Sequence, residues 1–140
     1  FEPIGSDETL FTGTLDGQGF GVTDLYIDRP SELYVGLVGY NGGTITNCYA
    51  TGAVTGSSYV GGLVGVNEGT VTNCYAPGAV TGDVDVGGLV GNVTGGGTVT
   101  NCYATGAVTG DNVGGLVGFL GNGTVTNCSS DVTVNRWKIL

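Results

Sequence analysis

A chain of 140 residues carrying 30 glycines, 12 acidic and only 3 basic side chains has the length of a single domain. Its net charge of −9 leaves too few cations to neutralise a phosphate backbone or an anionic bilayer surface, so no nucleic-acid partner is expected. Nor is membrane insertion, because no run approaches the roughly 18 apolar residues of a spanning helix.

The first segment, residues 1–33, reads as an entry into a repeat array. Phe1–Leu10 is a short candidate cover for one end of the fold. Val22-Thr23-Asp24-Leu25-Tyr26-Ile27 lines up with Ile45-Thr46-Asn47-Cys48-Tyr49-Ala50 as a degenerate first copy, with Leu25 where Cys48 stands.

Residues 34–133 hold four close copies of one unit. Gly-Leu-Val-Gly recurs at Gly36, Gly62, Gly88 and Gly115, at steps of 26, 26 and 27 residues. Each is followed by Gly-Thr-Ile/Val-Thr-Asn-Cys and then by Gly-Ala-Val-Thr-Gly, the latter degraded to Ser130-Asp131-Val132-Thr133 in the last copy. β-Branched residues dominate, glycines punctuate, and no helical period appears. Each unit reads as three short strands, Val-Gly-Gly-Leu-Val, Thr-Val-Thr-Asn-Cys and Ala-Val-Thr. A unit this small cannot bury a core alone, and stacking is the remedy. The expected fold is all-β: a parallel β-solenoid of about five coils, on the order of 25 Å long at the usual strand spacing. Alternation points Ile45, Val71, Val99 and Val125 inward and their flanking threonines outward. Val54, Val80, Val108 and Val132 are the expected inward residues of a further face.

Residues 134–140 form a tail with two of the three basic residues and the only tryptophan. Arg136, Trp137, Lys138, Ile139 and Leu140 either cap the last coil or dock on the acidic first coil of another copy. The second option builds a head-to-tail filament.

With Gly-Leu-Val-Gly at this period, residues 11–133 resemble the GLUG-motif repeats. These occur in adhesin-like bacterial and archaeal surface proteins and in non-catalytic regions of some immunoglobulin-cleaving metallopeptidases. The resemblance implies an extracellular or cell-surface location, no enzymatic activity and no cofactor. Host or matrix glycans or proteins then join self-association as candidate partners. Without histidine the zinc motif His-Glu-x-x-His cannot be written in this chain.

Several repeated positions carry chemistry. Cys48, Cys74, Cys102 and Cys128 read either as disulfides, for example Cys48–Cys74 and Cys102–Cys128, or as a buried ladder of reduced thiols. Asn47, Asn73, Asn101 and Asn127 read as a structural ladder at a corner, hydrogen-bonded from coil to coil and turned inward. Thr44, Thr46, Thr70, Thr72, Thr98, Thr100, Thr124 and Thr126 form two outward files, with Thr23 as an extension. Strand propensity explains them. The alternative is an ice-binding surface, since such arrays resemble those of some antifreeze proteins. Tyr26, Tyr49, Tyr75 and Tyr103 make an aromatic file, either stacked between coils or presented to glycans. Asp83, Asp85 and Asp111 share loop positions but fall short of a Ca²⁺ shell, so no metal is expected. Asn92 and Asn122 lie in sequons within glycine-rich loops and are candidate glycosylation sites. No nucleophile–base pair can be assembled.

Overall fold

A computed structural model describes residues 2–136. It is a parallel β-solenoid without helix, its strands gathered into four sheets. Residues 137–140 of the tail, and with them most of the expected docking segment, lie outside the described residues.

Each complete coil visits four faces rather than three. In the third coil the strands are Ser58–Gly61, Val64–Asn67, Thr70–Thr72 and Val80–Thr81, with Tyr75–Ala76 joining the last sheet. The segment read as one strand, Val-Gly-Gly-Leu-Val, instead folds over Gly62 and Leu63 and gives two. The reason is close packing. A Cβ on Gly65 would sit 2.7 Å from the carbonyl oxygen of Tyr59, and one on Gly91 would sit 2.5 Å from the nitrogen of Val60. The second glycine of each Gly-Leu-Val-Gly thus lets two sheets touch through their backbones, a separation that any side chain would prevent. The first glycine has a different job. Gly62 and Gly88 face Ala76 and Ala104 across the interior, where an added Cβ would meet the alanine methyls at 2.9 and 2.8 Å.

All pairing is parallel, and most of it sets like residues in register. On the threonine face Ile45, Val71, Val99 and Val125 stack in one file, as alternation requires. The first three are completely buried and Val125 partly so, because it belongs to the last coil. Leu63, Val64, Leu89 and Val90 are likewise fully buried, so both apolar members of the motif serve the core. At roughly 1.5–3 kcal/mol for each fully buried side chain, these files are the main source of cohesion.

The ends depart from expectation. The first coil does not use the Val22–Ile27 alignment. Thr14–Asp16 pairs with Thr44–Thr46, and Ile27–Asp28 with Val54–Thr55. Leu25 therefore has no place in the cysteine file and Thr23 none in a threonine file. Irregular spacing in residues 11–28 hides this register. The opening residues are also more than a cover, since Ile4 bridges to Val38 and Phe11 to Asn41. In the last coil Val134, not Val132, stands in register with Val108 and is 43% exposed. Val132 lies two positions earlier, half-buried against the core.

Because Gly91 sits against the backbone of Val60 and Tyr59, Gly91→Ala should act as an overpacking mutation worth about 1–3 kcal/mol. Urea unfolding followed by far-UV circular dichroism reads it. A variant as stable as the parent would show that the two sheets are not in backbone contact.

Candidate functional site

The threonine face is built as a regular array. Thr44, Thr70, Thr98 and Thr124 stand directly above one another, as do Thr46, Thr72, Thr100 and Thr126. Sequence reasoning missed the first rung, where Thr14 heads one file and Asp16 the other. The inner threonines are half-buried by their neighbours, while Thr14 at one end and Thr124 and Thr126 at the other are exposed.

At the corner after this face the asparagines serve backbone geometry. Asn47, Asn73, Asn101 and Asn127 all have φ between 52° and 54°, the left-handed region that asparagine tolerates best after glycine. The side chains are not turned inward: Asn73, Asn101 and Asn127 are exposed. A left-handed corner residue swings its side chain out of the coil, which alternation counting cannot show. The ladder itself begins as expected, with Asn73 Nδ2 donating to Asn47 Oδ1 at 3.2 Å and Asn47 Nδ2 donating to Asp16 Oδ1 at 3.2 Å. A second asparagine ladder gave no signal in the repeat alignment. Asn41 and Asn67 are fully buried, and Asn41 Nδ2 donates to Asn67 Oδ1 at 2.9 Å. Each also closes the turn to the glycine two residues on. Asn-Gly-Gly and Asn-Glu-Gly were the available hints.

The next residue turns in. Cys48, Cys74 and Cys102 are buried and Cys128 is half-buried; none is joined to another. Each thiol lies about one hydrogen bond from the carbonyl two residues before it, at 3.1 Å for Cys48 and 3.2 Å for Cys74, Cys102 and Cys128. Burial pushes the Cys48 and Cys128 thiols up. For Cys74 a hydrogen bond to Cys102 is the larger cause, with burial adding to it.

Tyr49, Tyr75 and Tyr103 follow, stacked with ring centroids 4.9 and 4.7 Å apart. Tyr26 is not among them. It precedes Ile27, which pairs with Val54, and its side chain is 66% exposed. The beginning of the file is closed by Gly21, over which the Tyr49 ring lies. Ring faces in this file cover each other, leaving edges and the far side of Tyr103 to solvent.

A second aromatic group, unread in the sequence, lies at the mouth between the two glycine-packed sheets. Tyr34 and Tyr59 stack at 5.2 Å and 7°, and Tyr40 leans on Tyr34 at 5.5 Å. The Tyr40 hydroxyl donates to Glu68 Oε1 at 2.6 Å. Burial, and then that bond, push its pKa up to about 12. Asp85 occupies the next position above Tyr59. It is a strand residue, only 8% exposed, rather than part of an acidic loop. Its carboxylate accepts from Asn92 Nδ2 at 2.9 Å and from Asn112 Nδ2 at 3.2 Å. Asn92 is correspondingly no loop sequon. It lies in the strand Val90–Val93 at 8% exposure, with its amide nitrogen engaged. Asn122 remains exposed in a turn. Among the described residues no three His, Cys, Asp or Glu side chains converge as metal ligands.

The coil just described is also the unit that known families share. The GLUG motif matches four times in succession, at residues 36–55, 56–81, 82–109 and 110–135. The chain belongs to the GLUG-motif repeat family. The last three matches each span one coil and the first spans most of one, so the family unit is a single turn of the solenoid. A segment of halomucin from Haloquadratum walsbyi is 45% identical over 64 residues, covering 44% of this chain and 1% of halomucin itself. The chain thus spans a very small part of that relative's length. No solved structure matches.

Two substitutions separate geometry from hydrogen bonding at the corner. Asn73→Gly should leave stability nearly unchanged, whereas Asn73→Ala should cost about 1–2 kcal/mol through the left-handed backbone. Equal losses in both would make the amide ladder, not φ, the reason for asparagine. The raised thiols make a second prediction. Unfolding frees groups that ionise near their ordinary value of 9.0, while burial holds the folded Cys48 thiol protonated to higher pH. Stability is therefore fully present below that pH and falls as pH rises past it. Urea midpoints at pH 8 and pH 10 should show a fall that shrinks in Cys48→Ala; an unchanged difference would place the alkaline loss elsewhere.

Proposed function

We propose that the chain is a non-catalytic structural or adhesive module of an extracellular surface protein, and that it assembles head-to-tail with other copies. One observation carries this reading: the side chains that could support chemistry are consumed in coil-to-coil ladders, while the last coil pairs on one face only. Its strands Val113–Gly114, Val117–Leu120, Gly123–Thr126 and Ser129–Arg136 each hydrogen-bond to the coil below. Among the described residues no strand covers their other edge. Such an edge is a template for another parallel strand, and a contact that repeats without closing extends into a fibre. Phe119, Leu120 and Val134, each 43–49% exposed, add apolar area to this end. The likeness to halomucin supports a surface setting in a long repeat-containing protein.

Arg136 reaches back, with Nε donating to the Asp111 carbonyl at 3.3 Å. It is the described part of the candidate contact Arg136–Leu140, which places basic charge against the acidic opening residues Glu2, Asp7 and Glu8 of a second copy. Glycans or proteins of a host or matrix are the partners of the adhesive form of the same reading.

The threonine array favours a second reading, ice binding, because its two files are parallel and in register over four rungs.

Light scattering and electron microscopy of the purified chain test assembly. Filaments are expected, and deleting residues 136–140 should abolish them with the β spectrum intact. A chain that stays monomeric at high concentration would leave the adhesive module alone. Thermal hysteresis lost on Thr72→Tyr and Thr100→Tyr would replace both with ice binding.

A further inference from the structure

Most files in this solenoid repeat one residue type from coil to coil. Among those that do not, two are neighbours. One runs Tyr34, Tyr59, Asp85, Asn112 and the other Tyr40, Val66, Asn92, Phe119. Both meet at the mouth between the glycine-packed sheets, around a cavity of about 200 Å³ lined by Tyr34, Tyr40, Tyr59, Val66, Asn92 and Phe119, with Thr94 at its rim. Coil-to-coil hydrogen bonding does not dictate which side chains stand here; other files vary too, such as Leu33, Ser58 and Val84, and what sets this corner apart is the chemistry it gathers.

The chemistry of the corner is one-sided. Tyr34 covers one face of the Tyr59 ring, and the next residue in that file is Asp85, so no third ring covers the other. Behind it stands the Asp85 carboxylate, bonded to Asn92. A carboxylate only accepts, which fixes Asn92 with Nδ2 toward Asp85 and Oδ1 away from it. That Oδ1 is buried and finds no partner. Glu68 accepts from Tyr40, and the charge of Asp7 reaches Tyr34 and Tyr40. The corner therefore collects π faces, carboxylates and an unmatched acceptor within a chain of net charge −9.

We propose that this corner binds a guanidinium cation, the side chain of an arginine supplied by a partner protein. The guanidinium is planar and cationic, stacks on aromatic faces, and carries five donors and no acceptor, which matches an acceptor-rich aromatic slot. A neutral sugar would need donors in comparable number. The chain's own described arginines are engaged elsewhere, Arg29 with Glu32 and Arg136 with the Asp111 carbonyl. The site lies on the flank of the solenoid, so it is available whether or not the ends assemble.

Aromatic and amide NMR of the full chain, titrated with N-acetyl-arginine amide at low salt, tests this. Saturable shifts should map to Tyr34, Tyr40, Tyr59 and Asn92. N-acetyl-citrulline amide, a neutral analogue of similar shape, should bind about fivefold or more weakly, the scale of a cation–π contact. Tyr59→Leu and Asp85→Asn should each weaken arginine binding by a similar factor, while Tyr75→Leu in the other aromatic file should leave it unchanged. Protection of the buried cysteines from thiol reagents reports whether each variant is folded. Equal binding of citrulline would overturn the cationic assignment without touching the self-assembly reading. So would shifts centred on Tyr75, no saturable shift at all, or a methyl glycoside shifting the same residues where arginine does not.

Discussion

The constraint on which everything else depends is that each coil's backbone is hydrogen-bonded to the coils on either side of it. A parallel coil offers its N–H and C=O groups along the solenoid axis, and they are satisfied only where the next coil follows the same path. A corner with φ near 53° in one coil demands the same corner in the next, and Asn47, Asn73, Asn101 and Asn127 answer that demand. The glycines of Gly-Leu-Val-Gly do so too, because a side chain at Gly91 would collide with the backbone of Val60 and Tyr59, which belong to the coil below. Repetition in the sequence is thus a consequence of backbone satisfaction, and the family motif marks the tightest point of each turn.

The same constraint separates scaffold from site. Where a side chain fills the centre of the core its type recurs from rung to rung, as in the file Ile45, Val71, Val99. At the mouth of the glycine-packed arm the rungs share a backbone but not a side chain, since Tyr34, Tyr59 and Asp85 all have φ between 55° and 60°. Tyr59 can be followed by Asp85, and Val66 by Asn92, without disturbing the register. Such freedom is what a recognition surface needs. The threonine array lies between these cases, outward-facing yet uniform, and its uniformity is also what strand propensity would produce on a solvated face.

This division explains what the sequence reveals. The solenoid, the number of coils and the inward file through Val71 are legible because they are enforced at each repeat. The fourth face is hidden because Gly-Gly-Leu can continue a strand or turn it, and only the approach of Gly65 to Tyr59 decides. The asparagines at 47, 73, 101 and 127 are legible as a ladder but not in direction, since a left-handed residue breaks the alternation that assigns faces. The first coil misaligns because its matches to the motif are weak: Thr14–Asp16 carries only one of the two threonines. Tyr34 and Tyr40 escape notice, and Asp85 and Asn92 are read as a loop acid and a loop sequon, for the opposite reason to the ladders. They come together only across coils, from positions that share no residue type.

Charge bears differently on the two proposed contacts. A carboxylate-rich chain repels its copies, while the unpaired edge of the last coil offers neutral backbone groups and apolar side chains such as Phe119 and Leu120. Screening weakens that repulsion. At the proposed end contact it also weakens the pairing of Arg136 with the acidic opening residues of a second copy, so the two effects of salt oppose each other. At the proposed flank contact nothing opposes it: Asp7, Glu68 and Asp85 draw a cation by the long-range attraction that salt screens. On these proposals the flank contact has the steeper loss with salt, and it lies on a different surface of the solenoid from the ends.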